Sequence, residues 1–127
     1  MRSWFWHWGP AAAQMAAIFY LSSRSGLPHL PGGLSSYSGH AIGYALLAAL
    51  VLRALAGAKW EHVRGALAWR ALLFSSAYGI TDEFHQSFVS NRTPDALDWA
   101  ADTAGAAFAV LLVMRIALAR RRRARNV

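Results

Sequence analysis

Residues 3–23 read SWFWHWGPAAAQMAAIFYLSS, 21 positions without Asp, Glu, Lys or Arg, bounded by Arg2 and Arg24. About 20 such residues, wound as a helix, span a bilayer. Trp4, Trp6 and Trp8 stand at the start of the run, as aromatic side chains do at a membrane–water interface. Ala and Leu dominate here and elsewhere in the chain, and β-branched alternation is nearly absent; both features favour helix over strand.

Three more segments follow the first. They lie near 40–56, 65–86 and 94–118, with a Gly- and Pro-rich connection before the second (Gly26, Pro28, Pro31, Gly32, Gly33). Thr93-Pro94-Asp95 reads as a helix start, with Thr93 as the cap, Pro94 in the first position and Asp95 in the first turn. The uncharged cores of the last two segments are short, 71–81 and 103–114. They reach spanning length only if Asp82, Glu83, Asp98 and Asp102 lie in or at the edge of the membrane. Ionisable groups there are costly and face a protein interior or a water-filled cavity, so they mark function.

The expected fold is therefore all-α: an integral membrane four-helix bundle in one domain over residues 1–127. Its four transmembrane helices cover about 4–21, 40–56, 65–86 and 94–118, and a basic tail follows at 119–127. Composition agrees. Of 127 residues, 56% are hydrophobic and 15% charged, against roughly 45–50% and 25% in soluble domains. That excludes a disordered chain and disfavours an ordinary soluble enzyme. Without cysteine, disulfides, thiolate zinc sites and Cys nucleophiles are excluded as well.

The net charge of +7, from 13 Lys and Arg against 6 Asp and Glu, would suggest a nucleic-acid partner in a soluble domain. Sorted by segment it reads differently. Arg2, Arg53, Lys59, Arg64, Arg70, Arg115 and the five arginines of 120–125 share one side, leaving Arg24 and Arg92 on the other. The positive-inside rule makes the crowded side cytoplasmic, with both termini there. The partners expected are membrane lipids, with no nucleic acid.

The acidic residues, Glu61 excepted, gather at the opposite ends of the segments. Ser22 closes the first. His40 and Tyr44 open the second, four residues apart and so on one helical face. Asp82, Glu83, His85 and Gln86 close the third. Arg92, Asp95, Asp98 and Asp102 open the fourth, and Gly105 continues the aspartate stripe, allowing close helix approach. An outward-facing polar pocket is expected at these ends.

The run Tyr78-Gly79-Ile80-Thr81-Asp82-Glu83-Phe84-His85-Gln86-Ser87-Phe88-Val89, followed by Asn91-Arg92-Thr93, Asp95, Asp98, Asp102 and Gly105, resembles the VanZ-like family. So do Ser22-Ser23-x-Ser25, His40 and Tyr44-Ala45-Leu46-Leu47. These are small bacterial membrane proteins named for a teicoplanin-resistance protein. The resemblance implies a multi-pass protein of the bacterial cytoplasmic (inner) membrane, linked to glycopeptide resistance. Ser36-Tyr37 stands where the family commonly carries Asp-Lys, so a contact made by that Lys is missing here or falls to Arg24 or Arg92.

The chemistry expected of the cluster is acid–base work on a lipid-linked or peptidoglycan-related envelope substrate. Asp82, Glu83, His40 and His85 are the candidate catalytic residues. Crowded carboxylates repel, which favours one of them keeping a proton near neutrality. His40 or His85 would serve as base or proton shuttle. Ser22, Tyr44, Gln86, Arg92, Asp95, Asp98 and Asp102 are candidate substrate contacts, Arg92 for an anionic group. No cofactor is assigned. A metal alternative rests on Asp82-x-x-His85, with Asp102 (or Asp98) plus His40 completing the shell. The bland alternative is a set of ion pairs sealing helix ends, Arg92 with Asp95 or Asp98 and His40 with Glu83, in a protein that binds an amphiphile or alters antibiotic access. His7, His29 and His62 are expected to be interfacial or loop residues, and Trp60, Trp69 and Trp99 belt residues.

Overall fold

A computed structural model describes residues 2–25, 32 and 35–126. It contains four helices: α1 (Arg2–Ser22), α2 (Ser36–Leu55), α3 (Gly65–Gln86) and α4 (Ala96–Arg125). One 3-10 turn, Trp60–His62, joins α2 to α3, and there is no strand among the described residues. Of the loop before α2, Gly26, Pro28, His29, Pro31 and Gly33 lie outside the described residues.

Local chemistry sets the helix ends. Ser35 caps α2 by accepting from the Ser38 amide at 3.3 Å, so the helix starts before His40. Asp95, not Thr93, caps α4: its Oδ1 accepts from the Leu97 amide at 2.9 Å. A carboxylate satisfies this orphan amide and also meets the positive end of the helix dipole. The far end of α4 differs from expectation too. The stretch from 119, read as a tail, stays helical to Arg125, because Ala and Arg are strong helix formers. Arg121 also ties it down, donating to the carbonyls of Trp60, Glu61 and Val63.

The helices alternate in direction. Arg53 at the end of α2 donates to the Trp6 carbonyl at 2.9 Å and lies over that indole, while Ser23 and His85 meet beyond the other end. The hub is α2, which packs on all three other helices; α1 does not reach α4 among the described residues. The closest seam is α2 on α4. At Gly105 an added Cβ would overlap the backbone carbonyl of Ala41, and Ala106 and Ala109 continue the seam against a core holding Leu47, Ala48 and Val51. Small residues let helix backbones approach where apolar collapse gives little drive.

Beside that apolar core, polar and charged side chains are buried while large apolar ones face outward. Ser75, Asp82, Gln86, Asp98 and Asp102 are buried, whereas Phe5, Phe84, Phe88, Phe108 and Leu111 face outward. Such an apolar exterior fits a lipid surround. Two helices, α2 and α4, are long and apolar enough to cross a membrane. By the same measure α1 and α3 fall short. His7, Gly9, Pro10 and Gln14 dilute α1, and Arg70, Asp82 and Glu83 dilute α3.

Candidate functional site

At one pole the C-terminal ends of α1 and α3 meet the N-terminal ends of α2 and α4. Helical spacing decides what each contributes. On α2, Tyr37, His40 and Tyr44 recur at i, i+3 and i+7, and share a face. On α3, Ser75, Gly79, Asp82 and Gln86 form the buried stripe, with Glu83 beside it. On α4, Asp98, Asp102 and Gly105 do the same.

His40 lies at the centre. Its Nδ1 is 2.9 Å from Asp102 Oδ1 and its Nε2 is 3.5 Å from Asp98 Oδ2. Asp102 has no solvent exposure, and the His40 side chain is 13% exposed. Tyr44 donates to Asp82 Oδ2 at 3.2 Å. Glu83 Oε2 accepts the Asp95 amide at 2.8 Å, joining the end of α3 to the start of α4. Four carboxylates thus converge on one imidazole. The ion pairs found here among the described residues both end on His40, and neither involves Lys or Arg. Several polar atoms are buried without a partner: Glu83 Oε1, Asp98 Oδ1, Asp102 Oδ2 and the Ser75 hydroxyl.

Other expected site residues fall elsewhere. His85 turns towards α1, where it stacks on Phe19 with centroids 4.3 Å apart and lies 3.5 Å from Ser23 Oγ. The trio Asp82, His85 and Asp102 is therefore not assembled, and His40 is the imidazole that joins Asp82 and Asp102. Arg92 pairs with neither Asp95 nor Asp98. It donates to the Arg24 carbonyl at 3.1 Å and the Leu21 carbonyl at 3.4 Å, a cation placed against the negative end of α1. The expected His40–Glu83 pair is replaced by His40 with Asp102 and Asp98. Ser22 and Gln86 are both buried at this pole. A cleft of about 260 Å³ belongs to the opposite pole, where Arg53, Lys59, Trp60 and Val63 are among the residues lining it.

Three contributors escaped the sequence reading. Gly79 makes room for Asp102, since an added Cβ would sit 3.1 Å from its Oδ2 and 3.2 Å from Trp99 Cδ1. Trp99 also ties two helices together, its indole donating to the Ser76 carbonyl at 3.1 Å. Tyr37 donates to Asp95 Oδ2 at 2.9 Å. The spacing of Tyr37, His40 and Tyr44 was the available signal for this last one.

The arrangement is suited to proton chemistry. Asp102 on Nδ1 fixes the tautomer of His40 and leaves Nε2 beside Asp98, as an acid–base histidine requires. A family model described as VanZ/LLP1 matches residues 38–119, a span holding His40, Tyr44, Asp82, Glu83, Asp98 and Asp102. No curated protein and no solved structure matches.

Proposed function

Because the chain belongs to the VanZ/LLP1 family, we propose that it is a bacterial envelope membrane protein linked, as that family is, to glycopeptide resistance, and that its His40 cluster acts on the polar head of a lipid-linked or peptidoglycan-related substrate. The observation supporting this reading is the clamping of His40 by Asp102, with Asp98 opposite and no Lys or Arg paired to these carboxylates among the described residues. Asp102 would stabilise the imidazolium formed when Nε2 takes a proton from a water or hydroxyl. Glu83 and Asp82 would return a proton to the leaving group. On this reading the protein is a hydrolase or transferase of the acid–base type.

In a glycopeptide-susceptible host, the wild-type chain is expected to raise teicoplanin tolerance. Asp82→Asn and Glu83→Gln preserve shape and the hydrogen-bond acceptors used by Tyr44 and Asp95 while removing charge. Each is expected to abolish the gain and to lower turnover of the envelope substrate about 100-fold or more, the ordinary contribution of a general acid or base. Glu61→Gln, exposed at the other pole, should retain both. Full tolerance and unchanged envelope lipids in folded Asp82→Asn and Glu83→Gln would instead favour a non-catalytic amphiphile binder.

We also propose that all four helices cross the cytoplasmic membrane, with both termini inside and the His40 cluster outside. Arg53 of α2, Lys59 and Arg64 on either side of the 3-10 turn, and the arginines at the end of α4 support this orientation. A reporter enzyme active only outside the cytoplasm should work when fused within 26–33 or next to Asn91, and be silent after Arg125. The reverse pattern would sink the outward-facing reading.

A further inference from the structure

We infer that the His40 cluster is a binding site for one divalent cation, held by His40 Nε2, Glu83 and Asp98, with Asp102 orienting the imidazole. The inference rests on the functional reading above for taking this cluster as the working site and replaces two roles within it: Nε2 and Glu83 bound to the ion are not free to take or return a proton, which leaves Asp82 as the proton carrier.

Geometry is the first support. His40, Glu83 and Asp98 each offer a ligand atom, and these atoms lie within 4.8 Å of one another. Two oxygens of this group, Glu83 Oε1 and Asp98 Oδ1, are buried with no hydrogen-bond donor. Buried acceptors left unpaired are costly, and a cation bound by these carboxylates would offset that cost. The second support is independent of that trio. Asp102, without exposure, holds His40 Nδ1 at 2.9 Å, the outer carboxylate contact that orients metal-binding imidazoles and raises their basicity. Its own Oδ2 is buried and unpartnered, and with Asp82 it forms a second donor group around the same ring.

Charge supplies the third support. Asp82, Glu83, Asp98 and Asp102 surround a single imidazole, so carboxyl groups outnumber basic ones in a site of restricted solvent access. A divalent ion lowers that repulsion more than one proton does. One imidazole with carboxylate oxygens suits Mn2+ or Zn2+, and the absence of cysteine removes the thiolate competitors. Three protein ligands leave coordination positions open, as in metal sites that polarise a bound water or a substrate oxygen. Asp82, with Tyr44 on its Oδ2, stays outside the ligand set.

The full-length protein, purified in detergent and stripped with EDTA, is titrated with Mn2+ and separately with Zn2+. Bound metal is counted by elemental analysis, and bound Mn2+ is followed by electron paramagnetic resonance. The wild type is expected to take up one ion per chain. Asp102→Asn should weaken binding about 10–100-fold, as loss of an orienting carboxylate does, and Glu83→Gln or Asp98→Asn by at least as much. Glu61→Gln should bind as the wild type does. Circular dichroism establishes that each variant is helical before titration. A wild type that takes up no stoichiometric metal overturns the inference, as does undiminished affinity in Glu83→Gln and Asp98→Asn. Teicoplanin tolerance of the same variants is scored separately. Metal bound without any loss of tolerance in the variants sinks the functional reading and leaves the site. Tolerance lost in variants of a protein that binds no metal sinks the site and leaves the reading.

Discussion

Gly105→Ala is expected to destabilise the bundle by about 3 kcal/mol or more, at the upper end of overpacking costs. The added Cβ would fall on the Ala41 carbonyl oxygen, carbonyl carbon and Cα. These are backbone atoms, so no rotamer change relieves the overlap and the two helices must separate. Separation strikes the most extensive helix pair in the molecule and propagates along Leu47, Ala48, Ala106 and Val110, all buried beside the seam. It also reaches the site, because Ala41 adjoins His40 and Asp102 lies one turn before Gly105 on the stripe. The control is Gly43→Ala on the same α2 helix, where an added Cβ meets nothing within 4 Å. That change is expected to be neutral or to stabilise by about 0.5–1 kcal/mol, through the lower backbone entropy of alanine. Denaturation in mixed detergent micelles, followed by circular dichroism, measures both variants. Equal stability of the two would contradict the close α2–α4 contact.

His40→Ala is the second large effect, about 3–5 kcal/mol of destabilisation. The loss comes less from the contact than from what is left behind. Asp102 would remain without exposure, its Oδ1 stripped of the only hydrogen-bond partner it has among the described residues and its Oδ2 unpartnered as before. Adding Asp102→Asn removes that stranded charge. The double variant His40→Ala/Asp102→Asn should therefore be more stable than His40→Ala alone, an inversion that simple additivity forbids for two damaging changes. Asp102→Asn by itself keeps an acceptor for His40 and should cost less than His40→Ala. A double-mutant cycle by the same denaturation assay decides the matter. Additive losses would mean that His40 and Asp102 do not act as a unit.

These residues also show how far the sequence could be read. The all-helical class followed from composition and from long apolar runs without strand alternation. His40 with Tyr44, and Asp98 with Asp102 and Gly105, followed from a 3.6-residue repeat carried within single helices. Contacts set between helices did not. Asp82-x-x-His85 places both side chains near one face of α3, yet Phe19 of α1 captures the imidazole by stacking, and nothing in α3 encodes where α1 lies. Arg92 looked like a partner for the nearby aspartates, but carbonyls at the end of α1 take it instead. Gly79 was part of a quoted motif without a role, since its task is to leave space for Asp102. Tyr37 was read as a missing Lys and not as a donor to Asp95.

The length of α4 has a consequence for what the cluster meets. The helix runs unbroken from Ala96 to Arg125, so the 18 residues from Asp102 to Arg120 fix a separation of about 27 Å at a rise of 1.5 Å per residue. Arginines resist leaving the polar boundary of a membrane, and 120–125 holds five of them. On the topology proposed above, the helix is a ruler whose zero mark is set at one leaflet. Its other mark, Asp102, falls close to one hydrocarbon thickness away, about 30 Å. At that depth the cluster would meet the headgroups of the far leaflet, and molecules would be sorted by their polar ends with little regard to the tails that carry them.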